Sequence, residues 1–407
     1  MAEEYGPYDA SVTEDPRPST LRRSDRPVPV LASMAPRRDL GAVAVVRADA
    51  TASTVGEILE ATHTDAFAVL HSGELVAEGY AQDSGPDRPH PVFSITKSLV
   101  GCVTGILLDR GALEESRPVE DYVPELGRSG YAGATVRDLL DMRSGVRFRE
   151  QYDARDSDIN LLDEWVRSGH GLYSYLTALE ADQPHGGAFR YRSSETDALG
   201  WVCEQASGTS MDELIGDLVW RPMGAEHDAA MARDHEGTPV HDGGLAATPT
   251  DLLRFGRLLL DGGRLHREDG TTTDVLPPRW MRQGWSVDAD IRGAFAASTA
   301  EGAFPGGWYR NQLWFRVGAF GDVALCLGIH GQLVYVGRST GTVCVKLSSW
   351  PDAQNLSYLV DTIRACDAIS GTLSGQAARG DVPWLPRVVS GLSRTGDGGR
   401  RPGSHVD

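Results

Sequence analysis

Apolar residues recur every three to four positions in VGEILEATHT (55–64), which predicts a helix. In AFAVLHSGELVAEGYA (66–81) two β-patterned runs flank the turn His71-Ser72-Gly73-Glu74, which predicts a pair of strands. A long apolar helix is predicted from about Ser94 to Leu108, stopped by Gly111. From about 112 to 290 the pattern is mainly helical with long loops. TVRDLLDMRSGV, YSYLTALEA, TDALGWVCEQASG, SMDELIGDLVW and TPTDLLRFGRLLLDGG all space their apolar residues by three or four. Several of them begin at Ser or Thr in an N-cap position, and two end at Gly. Between 306 and 348 the β pattern returns. WYRNQLWFRV, VALCLGI, GQLVYVG and TVCVKLSSW read as strands with Gly-rich turns between them, and a helix follows at about 353–369.

Strands at both ends with helices between them predict an α+β domain. Its antiparallel sheet is built from N- and C-terminal segments and flanked by helices, and a mainly helical subdomain is inserted at about 112–290. Residues 1–40, rich in Pro, Arg, Ser and Asp, read as a flexible arm, and 41–370 as the main domain. Residues 371–407 hold few large apolar side chains and read as a disordered tail.

A hydrophobic fraction of 41% over 407 residues suffices for a sizeable core. The formal net charge of −18 argues against a nucleic-acid partner, which needs a basic face, and against anionic membranes. No apolar run is long enough to span a bilayer, and the N-terminus carries acids where a signal peptide has Lys or Arg, so the expected compartment is the cytoplasm. Cys102, Cys203, Cys326, Cys344 and Cys366 are scattered, without CxxC spacing, so neither a disulfide framework nor a zinc site is expected, and no other metal or cofactor. Of 39 basic residues only Lys97 and Lys346 are lysines. Arginine keeps its proton in a protein and a buried lysine can lose it, so Lys97 is a candidate chemical group before any motif is named.

Ser94 opens the long helix in Phe93-Ser94-Ile95-Thr96-Lys97, and i and i+3 share a helix face, so hydroxyl and amine can meet. The helix N-terminus surrounds Ser94 with partial positive charge and free N–H groups, which favour an alkoxide and an oxyanion. A serine needs a base to become a nucleophile, and Lys97 can be that base only where desolvation or a nearby cation lowers its pKa. Downstream, Phe189-Arg190-Tyr191-Arg192-Ser193 places a phenol on a loop just before a helix; beside a lysine it could exchange a proton or deliver one to a leaving group.

SxxK opening a buried helix, LLDMRSGV (139–146) downstream, and Tyr-x-Ser about a hundred residues after the serine resemble the class C β-lactamase and family VIII esterase group, over roughly residues 55–370. The likeness is most detailed with the 6-aminohexanoate-dimer hydrolases, amidases of nylon oligomers, in TDAFAVL, YVPEL, YRSSETDALGWV, DLLRFGRLLLDGG, GIHGQ and VKLSSWPD. The resemblance implies a β-lactamase/transpeptidase-like fold. It implies an acyl-enzyme on Ser94, with Lys97 and Tyr191 activating the serine and protonating the leaving group. It implies an oxyanion hole from the backbone N–H groups of Ser94 and Ile329, and substrate contacts from Tyr152, Asp163, Asp242, Trp314 and His330. There are departures. Cys326-Leu327-Gly328-Ile329 stands where true β-lactamases have Lys-Thr-Gly, which leaves no cation to grip a penicillin carboxylate. Asp242 replaces an uncharged amide before Gly243-Gly244, and Gln354 replaces an acid.

Three classes of function remain. One is hydrolysis of a small-molecule amide or ester, in which an amine-bearing substrate suits the acidic chain. The second is transfer of the acyl group to an amine acceptor. The third is a non-catalytic binding protein on the same fold. A Ser-His-Asp arrangement using His330 is a further alternative, without a GxSxG elbow behind it. A homodimer is compatible with all of these.

Overall fold

The β-patterned segments at the two ends of the chain pair with each other. The computed structural model describes residues 18–28, 31, 32, 35–267 and 269–379. Its main sheet contains β1 (Leu31–Ala32), β2 (Thr64–His71), β3 (Glu74–Tyr80), β4 (Trp308–Arg310), β5 (Leu313–Arg316), β6 (Val323–Gly328), β7 (Gln332–Gly337) and β8 (Thr342–Ser348). Their order across the sheet is β4-β5-β6-β7-β8-β2-β3-β1. N- and C-terminal parts meet where β2 runs antiparallel to β8, with Val69 opposite Cys344 and Phe67 opposite Lys346. Every pair in the sheet is antiparallel except β1 with β3.

Side chains alternate across a strand, so each strand supplies both faces of the sheet. On one face Phe67, Val69, Leu325, Leu333 and Tyr335 pack with α1 (Val55–Ala61) and a C-terminal helix, Leu356–Ser374. On the other, Ala68, Leu70, Val334, Val343 and Val345 pack with α2 (Ile95–Asp109) and with the helix Pro249–Leu260. The sheet is therefore covered on both faces, and α2 is enclosed by apolar neighbours from Ile95 to Leu107. A Cβ added at Gly101 would lie 2.6 Å from the Asn311 carbonyl oxygen, so glycine there lets α2 press against the β4–β5 turn.

Three segments depart from the sequence pattern. WYRNQLWFRV is two strands, because Asn311 and Gln312 adopt φ of 57° and 62° and fold it into the β4–β5 hairpin. Such left-handed angles suit the tight turn between twisted strands. Within the expected N-terminal arm, Ser19–Leu21 pairs with Ala229–Met231 and Leu21 enters the core, so this stretch is anchored by pairing and burial. Residues 1–17, and 380–407 of the expected tail, lie outside the described residues. The expected insert does carry helices, but Ala229–Met231 and Leu245–Ala247 within it form a small sheet with Ser19–Leu21 and His90–Pro91. Among the described residues no helix is long and apolar enough to cross a membrane, and no cluster of His, Cys, Asp or Glu could hold a metal ion.

Candidate active site

Phe93 has φ +47°, an unusual angle for a bulky residue, and this turn delivers Ser94 to the start of α2. One helical turn later Lys97 points back along the same face. Its Nζ donates to Ser94 Oγ at 2.9 Å and to the Asp242 carbonyl oxygen at 2.6 Å. The Asp242 carboxylate lies 3.5 Å from the same nitrogen. Tyr191 precedes the helix Ser193–Ser207, named α3 here, and lies close enough to Ser94 for the serine to oppose the rise in its pKa. Its ring centroid is 5.4 Å from Lys97 Nζ and 5.2 Å from the Trp314 ring, which stacks on it. The three residues expected to carry the chemistry therefore meet at one point.

Their electrostatics differ from the sequence expectation for Lys97. Burial works against its charge, but Tyr191, Asp242, Glu150 and Asp197 outweigh burial and raise its pKa above the ordinary lysine value. Lys97 is an ammonium at neutral pH, and no neighbouring cation lowers its pKa. Tyr191 is also shifted upward, first by burial, with Glu150 and Asp242 adding to it and Lys97 and Ser94 opposing it. With Lys97 donating to Ser94 Oγ, the serine's own hydroxyl proton is free to be donated elsewhere.

A cleft of about 930 Å³ opens over Ser94, and Tyr152, Asp163, Asp242, Ile329 and His330 all stand on its wall. Among the described residues, the backbone N–H groups of Ser94 and Ile329 have no backbone acceptor, which suits an oxyanion hole. Asp163 is paired with Arg167 at 3.1 Å. Burial pushes its pKa up to about 6, Arg167 opposing and the Asp242 charge adding to the rise. Arg155 and Arg167 line the same cleft as Asp153, Asp163 and Asp242, so its wall is mixed in charge.

His330 has its Nδ1 2.8 Å from the Trp350 carbonyl oxygen, so that ring nitrogen meets a backbone group where a triad would need a carboxylate. The ring packs 5.5 Å from Phe93. These contacts remove the Ser-His-Asp alternative and leave His330 as a wall residue. Trp314, expected beside the substrate, is half-buried and stacks on the Tyr191 ring. It sits in an aromatic cluster with Phe189, Tyr309 and Tyr191 and holds the Tyr191 ring from behind.

Two carboxylates near Lys97 were not singled out by sequence. Asp197 lies on α3 and accepts from the Asp242 N–H at 3.1 Å. Glu150 lies on the segment before the helix Asp158–Arg167, named α4 here, two residues before Tyr152. No motif marks either residue. Glu150 adjoins an acid-rich loop, and Asp197 has the appearance of one polar position within a helix.

Comparison with known proteins adds the lineage. The chain matches the β-lactamase family over residues 51–359. It is 37% identical over 346 residues to a 6-aminohexanoate-dimer hydrolase of Paenarthrobacter ureafaciens, covering 80% of this chain and 85% of that protein. A Bacillus anthracis structure described as a 6-aminohexanoate-dimer hydrolase superposes with a TM-score of 0.76 at 24% identity, over 88% of this chain and 91% of that one. EstCE1, a hydrolase with promiscuous acyltransferase activity, superposes with a TM-score of 0.60 at 13% identity, over 78% and 98% of the two chains. The two structural likenesses establish a shared fold.

Proposed function

The chain belongs to the β-lactamase family, and from that premise we propose that it is an amidase or esterase working through an acyl-enzyme on Ser94. The observation that carries this reading is the contact of Lys97 Nζ with Ser94 Oγ at 2.9 Å, with the Tyr191 ring beside that ammonium and a cleft above Ser94. Ser94 Oγ attacks the carbonyl carbon and its proton passes to the Tyr191 oxygen. The Lys97 ammonium stabilises the phenolate that begins the step and the alkoxide that develops. The oxyanion is taken by the N–H groups of Ser94 and Ile329. Tyr191 returns the proton to the departing nitrogen or oxygen, and water then enters by the reverse path to release the acid.

A serine-reactive fluorophosphonate or activated ester is expected to add one adduct, located on Ser94 by peptide mass spectrometry. Labelling that persists unchanged in Ser94→Ala overturns the assignment.

The cleft carboxylates favour an amine on the substrate. A charge-assisted hydrogen bond is worth ~1.5–3 kcal/mol, and Arg167 already competes for Asp163, so the lower end applies. An amine-bearing substrate is expected to exceed its uncharged isostere in kcat/KM by about 10-fold above pH 6. The sign follows from the raised pKa: Asp163 is ionised above about 6 and neutral below it, so the preference fades as pH falls through that value. Asp163→Asn is expected to reduce the preference and to spare a small neutral ester. An unchanged preference in that variant makes Asp163 an ordinary wall residue.

The same carboxylates support a second reading, in which an amine held near Asp163 or Asp242 intercepts the acyl-enzyme and an amide forms. The panel that decides is a set of short p-nitrophenyl esters and amino-acid amides, with and without added amines. Amide product growing with amine at the expense of free acid assigns acyl transfer, and acid alone assigns hydrolysis.

A further inference from the structure

We infer that Glu150 is a positioning residue for the reaction, tying the Tyr152 hydroxyl on the cleft wall to the first residue of α3 and so fixing the turn that carries Tyr191. The inference rests on the reading that Ser94 and Tyr191 do the chemistry. Glu150 Oε1 accepts from the Tyr152 hydroxyl at 2.7 Å and from Ser193 Oγ at 2.7 Å. Its Oε2 accepts from the Ser193 N–H at 2.9 Å. Ser193 is the first residue of α3, where a backbone N–H has no partner within the helix. The N-cap residue Arg192 makes no side-chain capping bond, so a carboxylate from a distant loop supplies the cap. A negative group also suits the positive end of the helix.

Two consequences reach the site. Tyr191 is two residues before Ser193, with its ring stacked on Trp314 on one side. The Glu150–Ser193 bonds fix its backbone from the other side. Second, the one hydroxyl proton of Tyr152 is committed to Glu150. Tyr152 therefore offers the cleft a lone pair, suited to an amide N–H or an ammonium. The group has an electrostatic effect as well. The titratable groups facing Lys97 are Tyr191 from the turn, Asp197 from α3, Asp242 from its loop and Glu150. Glu150 itself is pushed up by burial and drawn down by Lys97, Ser193 and Tyr152. An ionised Glu150 favours the fully protonated Lys97/Tyr191 pair, so it places the acidic limb of the rate profile at higher pH.

The test measures kcat and KM for a neutral ester across pH in the full chain, together with melting temperature and fluorophosphonate labelling. Glu150→Gln keeps the shape, but its one amide oxygen cannot replace both carboxylate oxygens: with that oxygen toward Tyr152 and Ser193 Oγ, the amide nitrogen faces the Ser193 N–H and cannot accept from it. It is expected to lower kcat by about 10-fold or more, the scale of a slightly misplaced catalytic group, with a smaller change in KM. Its acidic limb should move to lower pH. Glu150→Asp keeps the charge but is too short to span both partners, so kcat should fall while the limb stays in place. If Glu150→Gln does not fold, Ser193→Ala decides: it removes one donor and is expected to lower kcat several-fold with the limb unmoved. A Glu150→Gln enzyme with wild-type kcat and limb, or one changed only in melting temperature, overturns the inference. So does a wild-type kcat in Ser193→Ala when Glu150→Gln does not fold. Wild-type protein that takes no label on Ser94 sinks the acyl-enzyme reading itself, which separates the two failures.

Discussion

Lys97→Arg is expected to lower kcat/KM by ~10²-fold or more, the usual scale for losing a preorganised donor to a developing anion, while the protein still melts close to the wild-type temperature. The variant is chosen because the surroundings of Lys97 are acidic. Asp242, Glu150 and Asp197 all raise its pKa, and removing the cation by Lys97→Ala would leave those acids uncompensated in a buried site. Breaking a buried pair in that way typically costs ~3–5 kcal/mol, so loss of activity would be confounded by loss of fold. Arginine keeps the charge. It does not reproduce a compact ammonium that reaches Ser94 Oγ at 2.9 Å and the Asp242 carbonyl at 2.6 Å from one nitrogen. Its guanidinium is a planar fork, and it never releases its proton. Labelling of Ser94 by an activated ester should slow in parallel with turnover, because both need the same alkoxide. Near wild-type turnover in Lys97→Arg would show that the compact ammonium contact with Ser94 Oγ is not needed for catalysis.

The sequence made the nucleophile and its lysine legible because their relation is local. Three residues on one helix face meet in any α-helix, and the apolar run after Ser98 announces that this face is buried. Tyr191 was legible through Tyr-x-Ser and the resemblance. Its contact with Ser94 spans about a hundred residues of chain, which periodicity cannot report. The state of Lys97 was not legible at all. Sequence reasoning set the condition that a base needs a lowered pKa, and the fold imposes the opposite by bringing Asp197 and Glu150 to it from α3 and from the loop before α4. Glu150 has the appearance of a solvated acid in its local sequence; its bonds to Ser193, at the start of a distant helix, are what the local sequence cannot report. The resemblance gave Trp314 a place beside the substrate; the fold adds a stacking contact on Tyr191 that its local sequence could not report. Ser19–Leu21 was hidden for a related reason, since its pairing partner, Ala229–Met231, lies two hundred residues away.

Tyr191→Phe is expected to cut turnover of amides by ~10²–10⁴-fold, the range for losing a general acid–base group, and of activated esters by markedly less. The hydroxyl is the only atom removed, and the ring keeps its stacking on Trp314 at 5.2 Å and its edge contact with Tyr309, so the fold should survive. The difference between substrates follows from the leaving group. An amine departs only when protonated, whereas p-nitrophenolate leaves unaided, so the ester requires Tyr191 in acylation for taking up the Ser94 proton and not for returning it. The pH profile separates these duties further. Both Lys97 and Tyr191 are raised above their ordinary values, so at neutral pH the pair holds two protons, and the reactive form holds one. Wild-type kcat/KM should therefore rise from neutral toward alkaline pH, along a limb that belongs to the pair jointly. In Tyr191→Phe only Lys97 remains to lose that proton, with the phenol gone from the path. The ester activity that survives should then depend on pH with a displaced limb. Equal losses on amides and esters, with the limb unmoved, would assign the Tyr191 hydroxyl a role in packing and return the proton transfer to Lys97.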